Sequence, residues 1–196
     1  FADSSPSVHG FVPVKDVLAN VDARLSRENG RLDVLMLSGG EPTIHPDLMP
    51  LLEQLLEREI QRIVINTNGI QIAKNDRLLA FLERNNHRVE TYFQFDGFRL
   101  ETHKAHRGAD LRRIKRDAID RLSAAGVFTT LTMTVALGVN DDEIGDVVQL
   151  MLDTPFVNGL SIQPQFGSGR SARIDPLKRL THGGVLARRP ARSKCT

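Results

Sequence analysis

The sequence predicts an α/β fold in which parallel β-strands alternate with α-helices. Three observations support this prediction: apolar runs of strand length recur, segments with helical spacing of apolar residues separate them, and the connections are short. Because consecutive parallel strands need helical crossovers, the strands should form either an open doubly wound sheet or a β/α barrel. Both architectures place ligands at the carboxyl ends of the strands.

Five helices and five strands are predicted in alternation. Helices begin where apolar residues recur at intervals of three and four, and two of them end near a glycine, at Gly30 and Gly126. Leu48, Leu51, Leu52 and Leu55 should form the sheet-facing stripe of the second helix. The predicted helices are residues 14–25, 46–57, 76–84, 111–125 and 142–152. The predicted strands are residues 32–37, 62–67, 91–95, 128–135 and 160–164.

Composition excludes several classes of protein. The 196 residues suffice for one globular domain, and 26 Lys and Arg nearly balance 24 Asp and Glu, which argues against a nucleic-acid partner. There is no apolar run of about 20 residues and no signal-peptide pattern at the start, so we predict a cytoplasmic protein without a transmembrane segment. The single cysteine, Cys195, excludes an internal disulfide framework or a cluster of thiolate ligands within the sequence.

Two glycines and a carboxylate follow the first predicted strand. Gly39 and Gly40 lack the Cβ atom that would hold a ligand away from the backbone, and Pro42 fixes the chain direction after Glu41. A carboxylate at this point can meet a cation. The end of this strand is therefore predicted to be a binding edge.

Polar residues lie at or just beyond the ends of the predicted strands. Because parallel strands end at one edge of the sheet, these residues should be neighbours in space. They are Glu41, Thr67, Asn68, Gln94, Asp96, Asn140, Gln163 and Gln165.

The last part of the chain has a different character. Residues 167–171 read as a flexible loop, and residues 188–196 are basic, contain proline and lack periodicity. We predict a core domain over residues 1–166 and a poorly ordered loop and tail over residues 167–196, solvated rather than bound to nucleic acid or membrane. Arg170, in this loop, is expected to be solvated too.

Three strand-end motifs together resemble the radical S-adenosylmethionine (radical SAM) superfamily. They are Ser-Gly-Gly-Glu-Pro-Thr at 38–43, Asn-Thr-Asn-Gly at 66–69 and Gln-Phe-Asp-Gly at 94–97. The resemblance covers about residues 1–180 and is greatest to the branch of tetraether lipid synthase and related methylase-like proteins. It implies a partial (β/α)6 barrel. Residues 1–4 resemble the sequence directly after that branch's CxxxCxxC motif, so the resemblance implies that the first strand and the cluster loop are missing.

The resemblance also implies a chemistry. In the family, three cysteines hold a 4Fe-4S cluster, S-adenosylmethionine binds its open iron, and a 5′-deoxyadenosyl radical then abstracts hydrogen from an organic substrate. Here the substrate could be a lipid, and an electron-donor protein would be a partner. Cys195 alone cannot ligate the cluster, so the isolated chain should be inactive and no metal ligand is assigned within it.

The resemblance assigns the first binding residues to the glycine loop. The backbone groups of Gly39 and Gly40 would contact the methionyl part of S-adenosylmethionine, and Pro42 belongs to the same binding loop. Glu41 would accept hydrogen bonds from the methionyl ammonium group. The alternative for Glu41 is an acidic residue that stabilises a helix N-terminus.

Residues after the next two strands would contact the nucleoside. Asp96 matches the ribose-binding position, and Gln94 lies on the same strand face, although Asp-Gly is also a common turn. Thr67 and Asn68 match a turn beside the cofactor, with an ordinary Asn-Gly turn as the alternative.

The resemblance reaches the end of the fifth predicted strand. Asn140 matches a position near the adenosyl group, with a helix N-cap as the alternative or an additional role. Gln163 would lie near the adenine, and Pro164 fits only a strand end or edge. His103 and His106 imitate a metal-binding pair but are expected to be solvated surface residues.

Two other functions stay open from the residues alone. One is a β/α-barrel enzyme that binds a phosphorylated metabolite or a divalent metal with Glu41, Asp96 and the histidines. The other is a non-catalytic, degenerate barrel or a fragment without activity of its own.

Overall fold

The computed structural model describes residues 10–165 and 180–186. Its helices are α1 Val14–Arg27, α2 Leu48–Leu56, α3 Ile70–Lys74, α4 Asp76–Arg84, α5 Leu100–Arg107, α6 Arg112–Ala124, α7 Ile144–Asp153 and α8 His182–Leu186, with a 3-10 turn at Pro42–Ile44. Its strands are β1 Leu32–Leu37, β2 Ile60–Thr67, β3 Val89–Gln94, β4 Thr129–Val135 and β5 Val157–Pro164.

The five strands form one parallel sheet in the order β1-β2-β3-β4-β5. Each crossover therefore advances in the same direction, whereas a doubly wound sheet reverses direction at a switch point. Right-handed crossovers that all advance one way place their helices on one face of the sheet. The sheet curls into a half-barrel, which confirms the predicted partial β/α barrel and decides between the two architectures.

Alternate residues of the strands face opposite sides of the sheet, as the pleat requires. On the outer face, Ile63, Ile65, Phe93 and Leu131 are fully buried in the core beneath the helices. The four leucines of α2 belong to the same core, as predicted. This apolar layer is the part of the fold that excludes water and holds the strands in register.

The inner face of the half-barrel is polar towards the carboxyl ends of the strands. Residues that share a register position form rows across the sheet. One row contains Asn66, Tyr92 and Thr130, and the next contains Gln94, Thr132 and Ser161. A curved sheet with such rows offers hydrogen-bonding groups to a ligand on its concave side.

Two short helices within the predicted core domain, α3 and α5, were not predicted. α3 has only five residues and follows Gly69, which has a positive φ of 78°. α5 lacks an apolar stripe, because its buried residues are Thr102 and His103. Periodicity of apolar residues could therefore not reveal either element.

The predicted tail falls largely outside the described residues, as do Arg170 and Cys195. The described part of that region contains the short helix α8. Among the described residues, no helix combines the length and the apolar character that a membrane span requires.

Candidate functional site

The carboxyl ends of the strands meet at one edge, and hydrogen bonds connect them. Asn66 Nδ2 donates to Ser38 Oγ at 3.3 Å, and Gln94 Nε2 reaches Asn66 Oδ1 at 3.5 Å. On the far side, the backbone N–H of Thr134 donates to Asp96 Oδ1 at 3.1 Å. The structure thus brings the predicted strand-end residues together at one edge of the half-barrel.

The glycine loop is the open part of this edge. Gly39 and Gly40 are exposed, and a Cβ atom built on either residue would meet no atom within 4 Å. Gly39 also has a φ of 152°, a conformation that other residues rarely adopt. The backbone here is accessible to a ligand, as the sequence predicted for a binding edge. Pro42 starts the 3-10 turn and is half-buried.

Glu41 joins the first two strand ends. Its Oε1 accepts hydrogen bonds from the Thr43 N–H at 3.1 Å, from the Thr43 hydroxyl at 2.6 Å and from the Thr67 hydroxyl at 2.8 Å. Its Oε2 accepts one from the Asn68 N–H at 2.6 Å. Oε2, with this one hydrogen bond, is the less occupied of the two carboxylate oxygens among the described residues. The alternative role, capping a short helix, is also present, since Glu41 is the N-cap of the 3-10 turn.

Thr67 and Asn68 have different environments although they are adjacent. Thr67 is fully buried, and its hydroxyl both donates to Glu41 and accepts from the Gly69 N–H at 3.0 Å. Asn68 is half-buried, and its Oδ1 accepts from the Ile70 N–H at 2.9 Å. Thr67 therefore supports the site from within the protein, while Asn68 is partly accessible at its surface.

Asp96 forms a buried ion pair with a residue that the sequence interpretation missed. Its side chain is 4% exposed, and Oδ2 accepts from Nε of Arg107 at 2.7 Å and from its NH2 group at 2.6 Å. With Thr134 bound to the other oxygen, the carboxylate has three donors within the chain. In this arrangement Asp96 fixes the β3 end against α5 and β4. No sequence signal marked Arg107, because an arginine eleven residues away on a polar helix resembles any surface residue.

Asn140 holds the Asp96 segment in place and is not a helix cap. It is fully buried; Nδ2 donates to the carbonyls of Asp96 at 2.6 Å and Thr134 at 2.9 Å, and Oδ1 accepts from the Ala136 N–H at 2.8 Å. The N-cap alternative is wrong, since α7 begins at Ile144 after Glu143. All of the amide's hydrogen-bonding atoms are used inside the protein.

Gln163 and Pro164 lie at the end of the last strand, as predicted. Gln163 pairs in register with Thr134 and its side chain is exposed. Pro164 is the final residue of β5, which is an edge strand of the sheet that the described residues form. That placement agrees with the expectation that a residue without an N–H must stand at a strand end or edge.

The prediction that His103 and His106 form a solvated surface pair is wrong. His103 is 2% exposed, and its Nε2 lies 2.9 Å from the Gly97 carbonyl. His106 is half-buried. α5 packs against the loop after β3, so both rings lie against the protein. In the part of the chain that the structure describes, no group of three or more His, Cys, Asp or Glu could hold a metal ion.

Buried Lys115 was also missed. It lies on α6, is 1% exposed, and its Nζ donates to the carbonyls of Asn68 at 2.7 Å and Gln94 at 2.5 Å. Burial, with a smaller contribution from the Arg107 guanidinium, lowers the pKa of Lys115 to about 7. The carboxylates of Asp96 and Glu41 oppose this shift. A lysine on a charged helix gives no sequence signal for such a position.

A groove of about 660 Å³ adjoins the site on the side of β1. It runs between α1 and α2 and is lined mainly by apolar residues, including Phe11, Val21 and Leu51. Only the part of the groove lined by Gly39, Gly40 and Glu41 belongs to the strand-end site. The polar inner face and this apolar groove therefore meet at the glycine loop.

Comparison with known proteins identifies the family. The sequence profile of the Radical SAM superfamily matches residues 4–151 of this chain. The chain belongs to the radical SAM superfamily. The radical SAM relatives include 7,8-dihydro-6-hydroxymethylpterin dimethyltransferase of Methanocaldococcus jannaschii, which is 27% identical over 87% of this chain and 34% of its own length. They also include the GTP 3′,8-cyclase of Alkaliphilus metalliredigens, which is 30% identical over 68% of this chain and 41% of its own length. The GTP 3′,8-cyclase of Geobacter sulfurreducens is 30% identical over 63% of this chain and 37% of its own length.

This radical SAM chain spans only about a third to two fifths of the length of these relatives. The family match confirms the resemblance drawn from the three strand-end motifs, and it supports an enzyme. Its relatives act on different substrates, as their names state. The branch of tetraether lipid synthase stays a prediction.

Proposed function

We propose that this chain is the S-adenosylmethionine-binding part of a radical SAM enzyme that acts on an organic substrate. The observation that carries the proposal is the match of the family profile to residues 4–151, with an open glycine loop at the strand ends. When bound together, S-adenosylmethionine and a 4Fe-4S cluster supply hydrogen-abstracting radical chemistry. The residues of this chain contribute binding, orientation and exclusion of water.

The polar groups left free at the strand ends fit S-adenosylmethionine. The backbone of Gly39 and Gly40 is accessible, and Oε2 of Glu41, the less occupied carboxylate oxygen, would accept a hydrogen bond from the methionyl ammonium. Thr132 is further evidence for a ligand on the inner face, because its Oγ1 is buried and has no hydrogen-bond partner among the described residues. A buried hydroxyl in that state is usually satisfied by a bound molecule or water.

The remaining proposed binding residues divide into two groups. Asn68, Gln94 and Gln163 have accessible side chains and would contact the nucleoside directly. The others are enclosed, so they would act by holding the site in shape, Asp96 by way of the backbone it anchors. The enclosed residues are Thr67, Asp96 and Asn140.

The cluster does not fit the residues of this chain. Its usual ligands are cysteine thiolates, and the sequence has one cysteine. We propose that a CxxxCxxC segment outside this sequence supplies the ligands and that the chain alone is inactive. A cytoplasmic location, an electron-donor protein and a lipid-like substrate stay predictions.

The structure offers less support for the metal-dependent alternative. Asp96 is ion-paired with Arg107, Glu41 accepts four hydrogen bonds, and His103 Nε2 lies against the Gly97 carbonyl. These residues do not converge as a ligand set among the described residues. A degenerate barrel that retains the nucleotide pocket differs from our proposal only in lacking the cluster segment.

Titration of the ¹⁵N-labelled chain with S-adenosylmethionine tests the proposal. We expect saturable shifts of the amide signals of Gly39, Gly40 and Asn68. Gly40→Ala should raise the Kd about tenfold, or about 1.4 kcal/mol, because its methyl group would point into the space that the ligand needs. The melting temperature should not change, since no atom lies within 4 Å of the added Cβ.

Gly183→Ala is the matched control, because the Cβ built at this residue of α8 also meets no atom within 4 Å. This variant should bind S-adenosylmethionine as the unmodified chain does. Absence of saturable shifts at the glycine loop of the unmodified chain would disprove the proposed function.

A further inference from the structure

Lys115 occupies the point at which two neighbouring strands separate. The parallel pairing of β2 with β3 ends at the pair Thr67 and Phe93. The next pair in that register would be Asn68 and Gln94, and their carbonyls are the two groups that Lys115 Nζ binds. The lysine amine therefore takes the place of the strand ladder one residue beyond its end.

The strands separate here because their next partners lie elsewhere. The Asn68 N–H donates to Glu41 Oε2 instead of to β3. The Phe95 N–H donates to the Thr132 carbonyl at 2.8 Å, on the side of β4. Without Lys115, two half-buried carbonyls would lose the donor that they have at this split, which is costly.

Further contacts surround the lysine in this position. Its Nζ lies 5.1 Å from the centroid of the Phe93 ring, a cation–π distance. That ring in turn packs on Gly69 so closely that a Cβ there would come within 2.1 Å of it. The charged groups that act on Lys115 come from three directions: Arg107 on α5, Asp96 after β3 and Glu41 after β1.

We propose that Lys115 is a positioning residue that sets the width of the opening between the ends of β2 and β3. Asn68 and Gln94, whose accessible side chains flank this opening, are thereby held at the spacing that S-adenosylmethionine requires. Lys115 acts from the helix layer through these two backbones and does not touch the ligand. This inference depends on the proposed function.

Replacement of the amine tests the inference. Lys115→Met keeps the length and apolar stem of the side chain but removes the donor. We expect the Kd for S-adenosylmethionine to rise about tenfold, because two strand-end carbonyls lose their donor and the strand ends shift. Shifts of the Gly39 and Gly40 amides should persist at saturation, because the glycine loop is not held by Lys115. An unchanged Kd would overturn the inference.

Chemical rescue distinguishes positioning from a general loss of structure. The variant Lys115→Cys, in a chain with Cys195→Ser, can be alkylated with bromoethylamine while unfolded and then refolded. The product carries an amine at nearly the same distance from the backbone as lysine, and it should regain most of the affinity. A matched control, Lys104→Met, changes an exposed lysine of α5 and should bind normally.

A measurement on the unmodified chain covers the case in which the variants do not fold. With ¹³C-labelled lysine, addition of S-adenosylmethionine should shift the Cε signal of Lys115, assigned among the chain's six lysines, and leave that of Lys104 in place. An unmoved Lys115 signal, in a chain whose glycine-loop amides do respond, would overturn the inference alone. If no amide responds to the ligand, the proposed function itself fails.

Discussion

Glu41 accepts four hydrogen bonds that connect the loop after β1 with the end of β2. Glu41 therefore contributes to stability whether or not it also binds a ligand. Glu41→Gln should lower the free energy of unfolding by about 1–3 kcal/mol, because an amide NH₂ would face donors in place of an acceptor oxygen. Urea denaturation measures this change. Glu53→Gln, an exposed residue on α2, is the control and should have almost no effect.

Lys115 should make the stability of the protein depend on pH. Its pKa is about 7 in the folded chain and near the ordinary 10.5 when unfolded, so between these values the unfolded chain binds more protons. The free energy of unfolding should therefore rise with pH from about 7 towards 10.5, and Lys115→Met should lack this part of the rise. Urea denaturation at several pH values compares the two chains. Parallel pH profiles would contradict the low pKa.

At the scale of single residues, the sequence located the exposed glycine loop but gave no sign of two enclosed residues. The open glycine loop follows from local chemistry, since Gly39 and Gly40 need no partner to be accessible. Arg107 and Lys115 are polar residues on charged helices, and only packing shows that they are enclosed beneath the strand ends. Their contacts lie 11 and 21 or more residues away.

At the scale of elements, β1 is the outermost strand on its side of the sheet that the described residues form. Val34 and Met36 on its inner face are 57% and 44% exposed. An unpaired apolar edge strand favours association, so we expect the chain to be poorly soluble or to dimerise through β1. Replacing both residues with lysine should reduce association in sedimentation velocity experiments.

Leu152→Lys is the control for this effect, since Leu152 is 67% exposed but lies on α7. It should leave the association unchanged. An unmodified chain that sediments as a monomer and melts in one sharp transition would contradict the expected association through β1.

The long elements were predictable because their apolar periodicity is local. α4 has the predicted bounds of residues 76–84, and β1 has those of residues 32–37. Three strands begin earlier than predicted, including β3 at Val89 and β5 at Val157, because pairing with a neighbour extends strands beyond their apolar run. α3 and α5 are stabilised by tertiary contacts and so escaped prediction.

At the scale of the whole molecule, the chain should not assemble a cluster. After anaerobic incubation with iron and sulfide, we expect a colourless protein with no bound iron above background, because one cysteine cannot replace three ligands. Iron analysis and the visible spectrum measure this. Joining a CxxxCxxC segment to the chain should give a brown protein that cleaves S-adenosylmethionine; a colourless product would count against the radical SAM function.

The sequence by itself determined the alternation of strands and helices, the accessible glycine loop and the family, because these depend on local patterns and on motif order. Tertiary structure alone decided that the sheet is wound in one direction, that Asp96 pairs with Arg107, and that Lys115 bridges the split between β2 and β3. The physical reason is that burial and pairing depend on which distant segments meet, and a desolvated charge must find its partners wherever the fold places them.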